Sequence, residues 1–196
     1  KLFGSVEINT RAGSSPNQMV VDLSVTEKPT GSLSFGASFN SDNGVGFTAS
    51  FQEANLLGRG QSTSFAIKST SQSKSLAMSF KEPAVLKRDL SLSLNFDFGR
   101  TNGNNTRYDT EPFELSAALG FPVNATGTVS VKAFYGSNLL SAVTTDSNIL
   151  AAEAAKGRRN NVGGGYYYSY DNRGVGTFDK AGTFLKFSQD FSVSGK

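Results

Sequence analysis

Between Thr30 and Gly60 apolar and polar residues alternate with period two. Leu33, Phe35, Ala37 and Phe39 stand against Ser32, Ser34, Gly36 and Ser38. Val45, Phe47, Ala49 and Phe51 stand against Gly46, Thr48, Ser50 and Gln52. Such alternation marks strands with two unlike faces. Ser41-Asp42-Asn43-Gly44 lies between the two runs and carries Asn-Gly, a strong hairpin signal. The stretch therefore predicts a β-hairpin with one apolar face.

The rest of the chain repeats this design. Strands are predicted over about residues 61–69, with Phe65 and Ile67 on one face, and 74–81, with Leu76, Met78 and Phe80. Leu90, Leu92, Leu94, Phe96 and Phe98 alternate with Ser91, Ser93, Asn95 and Asp97. The next runs carry Phe113, Leu115, Ala117, Leu119 and Phe121, then Val129, Val131, Ala133 and Tyr135. Tyr166, Tyr168 and Tyr170 mark a strand over about 162–170. A last one, from about residue 183, carries Leu185, Phe187, Phe191 and Val193. The fold class is all-β and antiparallel. Each run is about eight to eleven residues. Ten residues at about 3.3 Å rise, tilted about 40°, span about 25 Å, the height of a membrane barrel's apolar band. Strands of water-soluble proteins are usually about five or six residues.

The polar faces separate the two solvents. A soluble sandwich would turn Lys and Glu outward, whereas here Ser, Gly, Thr and Asn predominate. Phe39, Phe51, Phe80, Phe98, Phe113, Phe121, Tyr135 and Tyr170 lie near strand ends, as aromatic girdles require. The alternative, a soluble sandwich with these aromatics in its core, fits the strand lengths less well. The facing prediction is that Leu92, Leu94, Phe96, Leu115, Leu119, Val129 and Val131 contact lipid.

Residues 1–29 differ. Ser5–Asn9 and Met19–Glu27 read as two strands around the polar loop Arg11–Gln18, like a hairpin of a small soluble α+β module. Pro29 and Gly31 mark a boundary, so the expected division is 1–29 and 30–196. The chain opens on Lys-Leu-Phe inside a strand, and is expected to begin within a longer protein. The two longest connections, Arg100–Thr110 and Ser137–Asn161, fall on the same end of the strand array. Long loops face outward in bacterial barrels, which would put residues 1–29 in the periplasm. Within the longer loop, Ser147 as N-cap and Gly157 as C′ frame a short helix or an Ala-rich loop.

Composition narrows the chemistry. The 196 residues include no Cys and no His, so disulfides, thiol chemistry and a Ser-His-Asp triad are excluded. A net charge of +3, spread along the chain, gives nucleic-acid binding little support. Asp97, Glu114, Lys132, Lys186 and Asp190 lie on polar faces, where solvated structural charge is the plainer account. Glu53 and Glu82 lie near turns without metal-ligand spacing. Gly163-Gly164-Gly165 lacks the strand–loop–helix setting of a phosphate loop. No catalytic, cofactor or metal residue is predicted.

Several motifs carry a family resemblance. Glu27-Lys-Pro-Thr-Gly-Ser-Leu33, Gln52-Glu-Ala-Asn-Leu-Leu-Gly-Arg-Gly60 with its Asn-x-x-Gly-x-Gly pattern, Glu82-Pro83, Gly120-Phe-Pro122 and Asp171-Asn-Arg173 all take part. Together they resemble the BamA family of outer-membrane protein assembly factors, within the POTRA–barrel superfamily. Asp179-Lys180 departs from that family's usual Pro-Thr. The resemblance covers essentially the whole chain. It implies the end of the last POTRA domain followed by the N-terminal half, about nine strands, of an outer-membrane barrel of about sixteen strands. It implies a non-enzymatic insertase that folds β-barrel clients into the outer membrane. The implied partners are membrane lipids, unfolded client proteins and accessory assembly lipoproteins. It also implies a lateral-gate strand made of Gly31, Ser32, Leu33, Ser34, Phe35, Gly36, Ala37, Ser38 and Phe39. A passive pore, or a two-partner-secretion transporter of the same superfamily, are the competing readings.

Overall fold

A computed structural model describes residues 3–15, 17–41, 44–103, 107–144, 147–173 and 182–195. Strands β1 (Phe3–Ala12) and β2 (Met19–Glu27) form a two-stranded antiparallel sheet. The remaining strands are β3 (Gly31–Asn40), β4 (Gly44–Leu56), β5 (Gln61–Thr70), β6 (Ser73–Glu82), β7 (Ser91–Thr101), β8 (Asp109–Pro122), β9 (Gly127–Ser141), β10 (Arg159–Asp171) and β11 (Phe184–Gly195). They form one nine-stranded antiparallel sheet in strict chain order, with β3 and β11 at its edges. Every strand therefore pairs with its sequence neighbour, as hairpin-connected alternating runs require.

The register preserves the predicted parity across the whole sheet. Leu33, Phe51, Phe65, Met78, Phe96, Leu115, Tyr135, Val162 and Val193 lie opposite one another in turn, one from each strand. A slip of one residue in any pair would turn a strand's apolar set onto the Ser/Gly face. Edge-to-face aromatic contacts run along the apolar face: Phe96 to Phe113 at 5.5 Å and Phe113 to Tyr135 at 6.0 Å between ring centres.

Among the described residues no apolar side chain is buried. The accessible surface is 14036 Å². A water-soluble monomer of 20.8 kDa would expose about 9,000 Å². The chain is thus a two-faced sheet without a core of its own, held by strand-to-strand pairing.

The strands of the large sheet run from 10 to 15 residues, most of them longer than the alternation predicts. The ladder continues through Arg100–Thr101, Asp109–Thr110 and Ser137–Ser141, which fall in the loops expected over Arg100–Thr110 and Ser137–Asn161. Leu90, expected in a strand, precedes β7. Between β7 and β8 the ladder lapses from Phe98/Phe113 to Thr101/Thr110; Pro112 in that gap has no N–H to contribute. Of the two options for the long loop, the helix is the one formed. α1 spans Asn148–Ala155, its N-cap Ser147 Oγ accepts from the Leu150 N–H at 3.4 Å, and Gly157 has φ +72°. The hairpin residues Asp42 and Asn43, and Asp179-Lys180, lie outside the described residues.

The polar face carries a cross-strand ion pair that depends on one glycine. Lys132 on β9 and Asp190 on β11 both lie opposite Gly165 of β10. Lys132 Nζ reaches Asp190 Oδ2 at 2.8 Å across it. A Cβ on Gly165 would overlap the Asp190 carboxylate and crowd the Gln189 carbonyl, whereas one on Gly164, facing the other way, meets only the Lys132 carbonyl. Gly165→Ala should therefore destabilise the folded protein by about 1–3 kcal/mol, the usual range for overpacking, and Gly164→Ala by less. Urea midpoints of the two variants provide the check, and equal midpoints would refute this role for Gly165.

Candidate functional site

Three features have the geometry to act: the β3 edge, the apolar face and the turn after β4. β3 pairs with β4 along its length, from Gly31 opposite Glu53 to Asn40 opposite Gly44, and its other side has no strand partner among the described residues. The Ala54 N–H donates to the Thr30 carbonyl at 3.0 Å, and Thr30 and Ala54 are directly opposite in the β3–β4 register. In an antiparallel pair, hydrogen-bonded and non-bonded positions alternate. Ser32, Ser34, Gly36 and Ser38 therefore direct their main-chain groups to β4. Gly31, Leu33, Phe35, Ala37 and Phe39 direct theirs outward from the edge. The same outward-directed residues carry the apolar side chains, with Phe35 77% and Phe39 79% exposed.

The structure brings the residues predicted to face lipid onto one surface. Leu92 lies opposite Leu119, Phe96 opposite Leu115, and Leu94 opposite Ala117. Val131 lies opposite Leu119, and Val129 opposite Phe121. On the other face the contacts are polar: Ser64 to Ser79 at 2.7 Å, and Asn95 Nδ2 donating to Ser116 Oγ at 3.3 Å.

Some residues escape the alternation. Phe134 and Tyr167 sit on the polar face, where Lys132 lies 4.8 Å from the Phe134 ring centre and Lys186 6.0 Å from that of Tyr167. Phe134 is directly opposite Gly163, whose missing side chain leaves room for the ring. Conversely, Gln189 lies on the apolar face and accepts from the Tyr166 hydroxyl at 2.9 Å. Counting parity from Tyr135, Tyr166 and Phe187 would have found all three exceptions. Asp97 and Glu114, a like-charged pair, are directly opposite one another. No group of three or more His, Cys, Asp or Glu could hold a metal ion among the described residues. Gly163–Gly165 lie inside β10 rather than in a loop.

The Asn-x-x-Gly-x-Gly turn has a local physical cause. Asn55 Oδ1 accepts from the Gly60 N–H at 2.7 Å, and the Gly58 N–H donates to the Asn55 carbonyl at 3.0 Å. Gly58 and Gly60 have φ of +72° and +69°, where a side chain is strained. The motif thus specifies a folded turn, and the β4 bulge between Glu53 and Leu56 sets its entry.

The Omp85 superfamily domain matches residues 55–196. The chain belongs to the Omp85 superfamily. The outer membrane protein assembly factor BamA of Buchnera aphidicola subsp. Acyrthosiphon pisum (strain APS) is 28% identical over 128 residues, covering 63% of this chain and 21% of that protein. The crystal structure of BamA from Haemophilus ducreyi lacking POTRA domains 1-3 matches 98% of this chain and 40% of its own, with TM-score 0.62 and 20% identity. CdiB from Acinetobacter baumannii matches 97% of this chain and 37% of its own, with TM-score 0.53 and 14% identity. The chain spans about a fifth of the length of the curated relative and about two fifths of the two solved ones. This Omp85 chain is a non-enzymatic outer-membrane protein whose sheet is similar to the BamA barrel region.

Proposed function

We propose that this Omp85 chain is the N-terminal half of an outer-membrane barrel, residues 30–196, preceded by the end of a periplasmic POTRA domain, residues 1–29. Its task is folding and inserting β-barrel proteins into the outer membrane, with unfolded clients and accessory assembly lipoproteins as partners. The observation that carries this reading is the β3 edge. Outward main-chain groups at Gly31, Leu33, Phe35, Ala37 and Phe39 share residues with an apolar face. In hydrocarbon each unmet backbone group costs several kcal/mol, so such an edge requires a strand partner. A client strand meets that need through main-chain bonds, independent of its sequence. The likeness to a protein called an assembly factor supports the same reading.

The fold likeness to CdiB keeps a second Omp85 role in view, transport of one exported partner. Depletion separates the two. Loss of many outer-membrane proteins supports assembly, loss of one exported protein supports transport, and loss of small-solute uptake alone supports a passive pore.

Facing is testable directly. Leu92, Leu94, Phe96, Leu115, Leu119, Val129 and Val131 contact lipid in this reading. An Arg at the bilayer midplane costs about 2–4 kcal/mol on the lipid face. In the full-length protein Leu94→Arg should sharply reduce the heat-modifiable folded band on gels, while Ser93→Arg should be tolerated. Equal yields of the two would remove the membrane-facing assignment.

The edge makes a sharper prediction, because proline deletes an N–H without adding charge. Phe35→Pro removes a donor that points away from β4, in a position where edge proline is tolerated. It should leave the barrel folded and lower client insertion. Ser34→Pro removes a β3–β4 ladder bond instead, and should reduce folding of the barrel itself. Normal client insertion by a folded Phe35→Pro protein would eliminate β3 as template.

A further inference from the structure

Charged residues on the apolar face of the large sheet are sorted by end. By strand parity, Glu53 and Glu82 lie at the end where the chain enters β3. Lys74, Arg100, Asp109, Glu111 and Arg158 lie at the opposite end, where Asp109 Oδ1 accepts from the Gly103 N–H at 2.7 Å. Between the two sets the face carries no charged residue among the described residues. At the far end Lys74, Arg100, Glu111 and Arg158 form a continuous arc. Lys74 lies opposite Arg100, Arg100 Nε stands 3.6 Å from Glu111 Oε1, and Arg158 Nη2 stands 3.0 Å from Glu111 Oε2. Arg158 also donates to Ser137 Oγ at 3.3 Å. Glu111 thus pairs with two of the three cations, Asp109 is engaged by a main-chain N–H, and Lys74 makes no ion pair among the described residues.

The surroundings fit an amphipathic ligand. A pocket of about 320 Å³ opens beside Lys74 and Arg100, walled by the Thr70–Ser73 turn and Asn102. Directly down the same face lie Leu76, Phe98, Phe113 and Tyr135, the upper edge of the apolar band. Guanidinium and ammonium groups bind phosphate oxygens through charge-assisted hydrogen bonds. A soluble anion would use only the cations. A phosphate-bearing lipid would use the cations and the band together, with its acyl chains against the aromatic and aliphatic residues below.

We propose that Lys74, Arg100 and Arg158 form a docking site for the phosphate groups of a membrane lipid in the leaflet at the loop end of the barrel. The inference rests on the membrane-barrel reading given above. Each cation close to an anionic membrane surface is worth about fivefold in affinity.

The test uses full-length protein in detergent micelles, titrated with bisphosphorylated lipid A and followed by native mass spectrometry. Lys74→Gln, Arg100→Gln and Arg158→Gln should each weaken binding about fivefold, and the triple variant by more than about tenfold. Lys68→Gln, at similar height on the opposite face, should bind as the unmodified protein does. Dephosphorylated lipid A should bind weakly to all of them. Unchanged binding by the folded triple variant, or by Lys74→Gln alone, would overturn the proposal. So would equal binding of dephosphorylated lipid A, or displacement of lipid A by inorganic phosphate, which would mark a soluble-anion site. Heat-modifiable mobility keeps the two levels apart. A full-length protein with no folded band defeats the barrel reading, whereas a folded triple variant that still binds lipid A defeats the lipid site alone.

Discussion

The main-chain ladder between neighbouring strands is the interaction on which everything else in this chain depends. No buried apolar cluster among the described residues can substitute for it. In water, ladder bonds contribute modestly because solvent competes for each group. In a hydrocarbon surround the competitor is gone, and an unpaired N–H or C=O costs several kcal/mol. The hydrophobic contribution also changes place. In the proposed membrane setting it would arise when the face carrying Phe51, Phe65, Phe96 and Leu115 leaves water for lipid, not when side chains meet inside the chain. An exposed face that would mark an aggregation hazard on a soluble protein would, against lipid, become the condition for stability.

This division of labour explains what the amino-acid pattern revealed and what it hid. Parity was legible because the two faces of the sheet differ in polarity at every second position; the row from Leu33 to Val193 is its result. Strand ends were not legible, because the apolar band is shorter than the ladder. Past Phe113 the face of β8 turns to Glu111, and past Tyr135 that of β9 turns to Ser137, so alternation stops while pairing continues. The turn after β4 was legible because two glycines and an asparagine have positions that only such a turn explains. Phe134, Tyr167 and Gln189 were legible as exceptions by parity alone, but the neighbours that accommodate Phe134 and Gln189 were not. Phe134 fills the space above Gly163, and Gln189 meets a tyrosine hydroxyl. Which residues of β3 direct main-chain groups outward could not be read from hydropathy at all. That required the register and the Thr30–Ala54 bond.

The two faces solve different problems with different residues. The outward face is uncharged through its middle, and its charges gather at the ends, where a side chain can reach polar surroundings. The polar face carries charge within its span, at Asp97, Glu114, Lys132 and Asp190, alongside Ser and Gly. Gly165 shows how closely these are linked. Its missing side chain opens the gap through which Lys132 and Asp190 join β9 to β11 across β10. An exposed ion pair contributes at most about 1 kcal/mol, so its value lies in fixing the relation of three strands rather than in strength.

In the proposed assembly role, a single edge would serve many different strands. At β3 the outward main-chain groups recur at every second residue, from Gly31 to Phe39. A strand added there would meet them with its own backbone, whatever its side chains. Its side chains would then be placed by parity alone, continuing the rows that begin at Leu33, Phe35, Ala37 and Phe39. A mis-registered strand would turn its polar residues into hydrocarbon and lose its hold. The edge therefore demands only that an arriving strand alternate, which is the property this chain itself displays from β3 to β11. Recognition by backbone and selection by periodicity need no pocket, no catalytic group and no specific sequence.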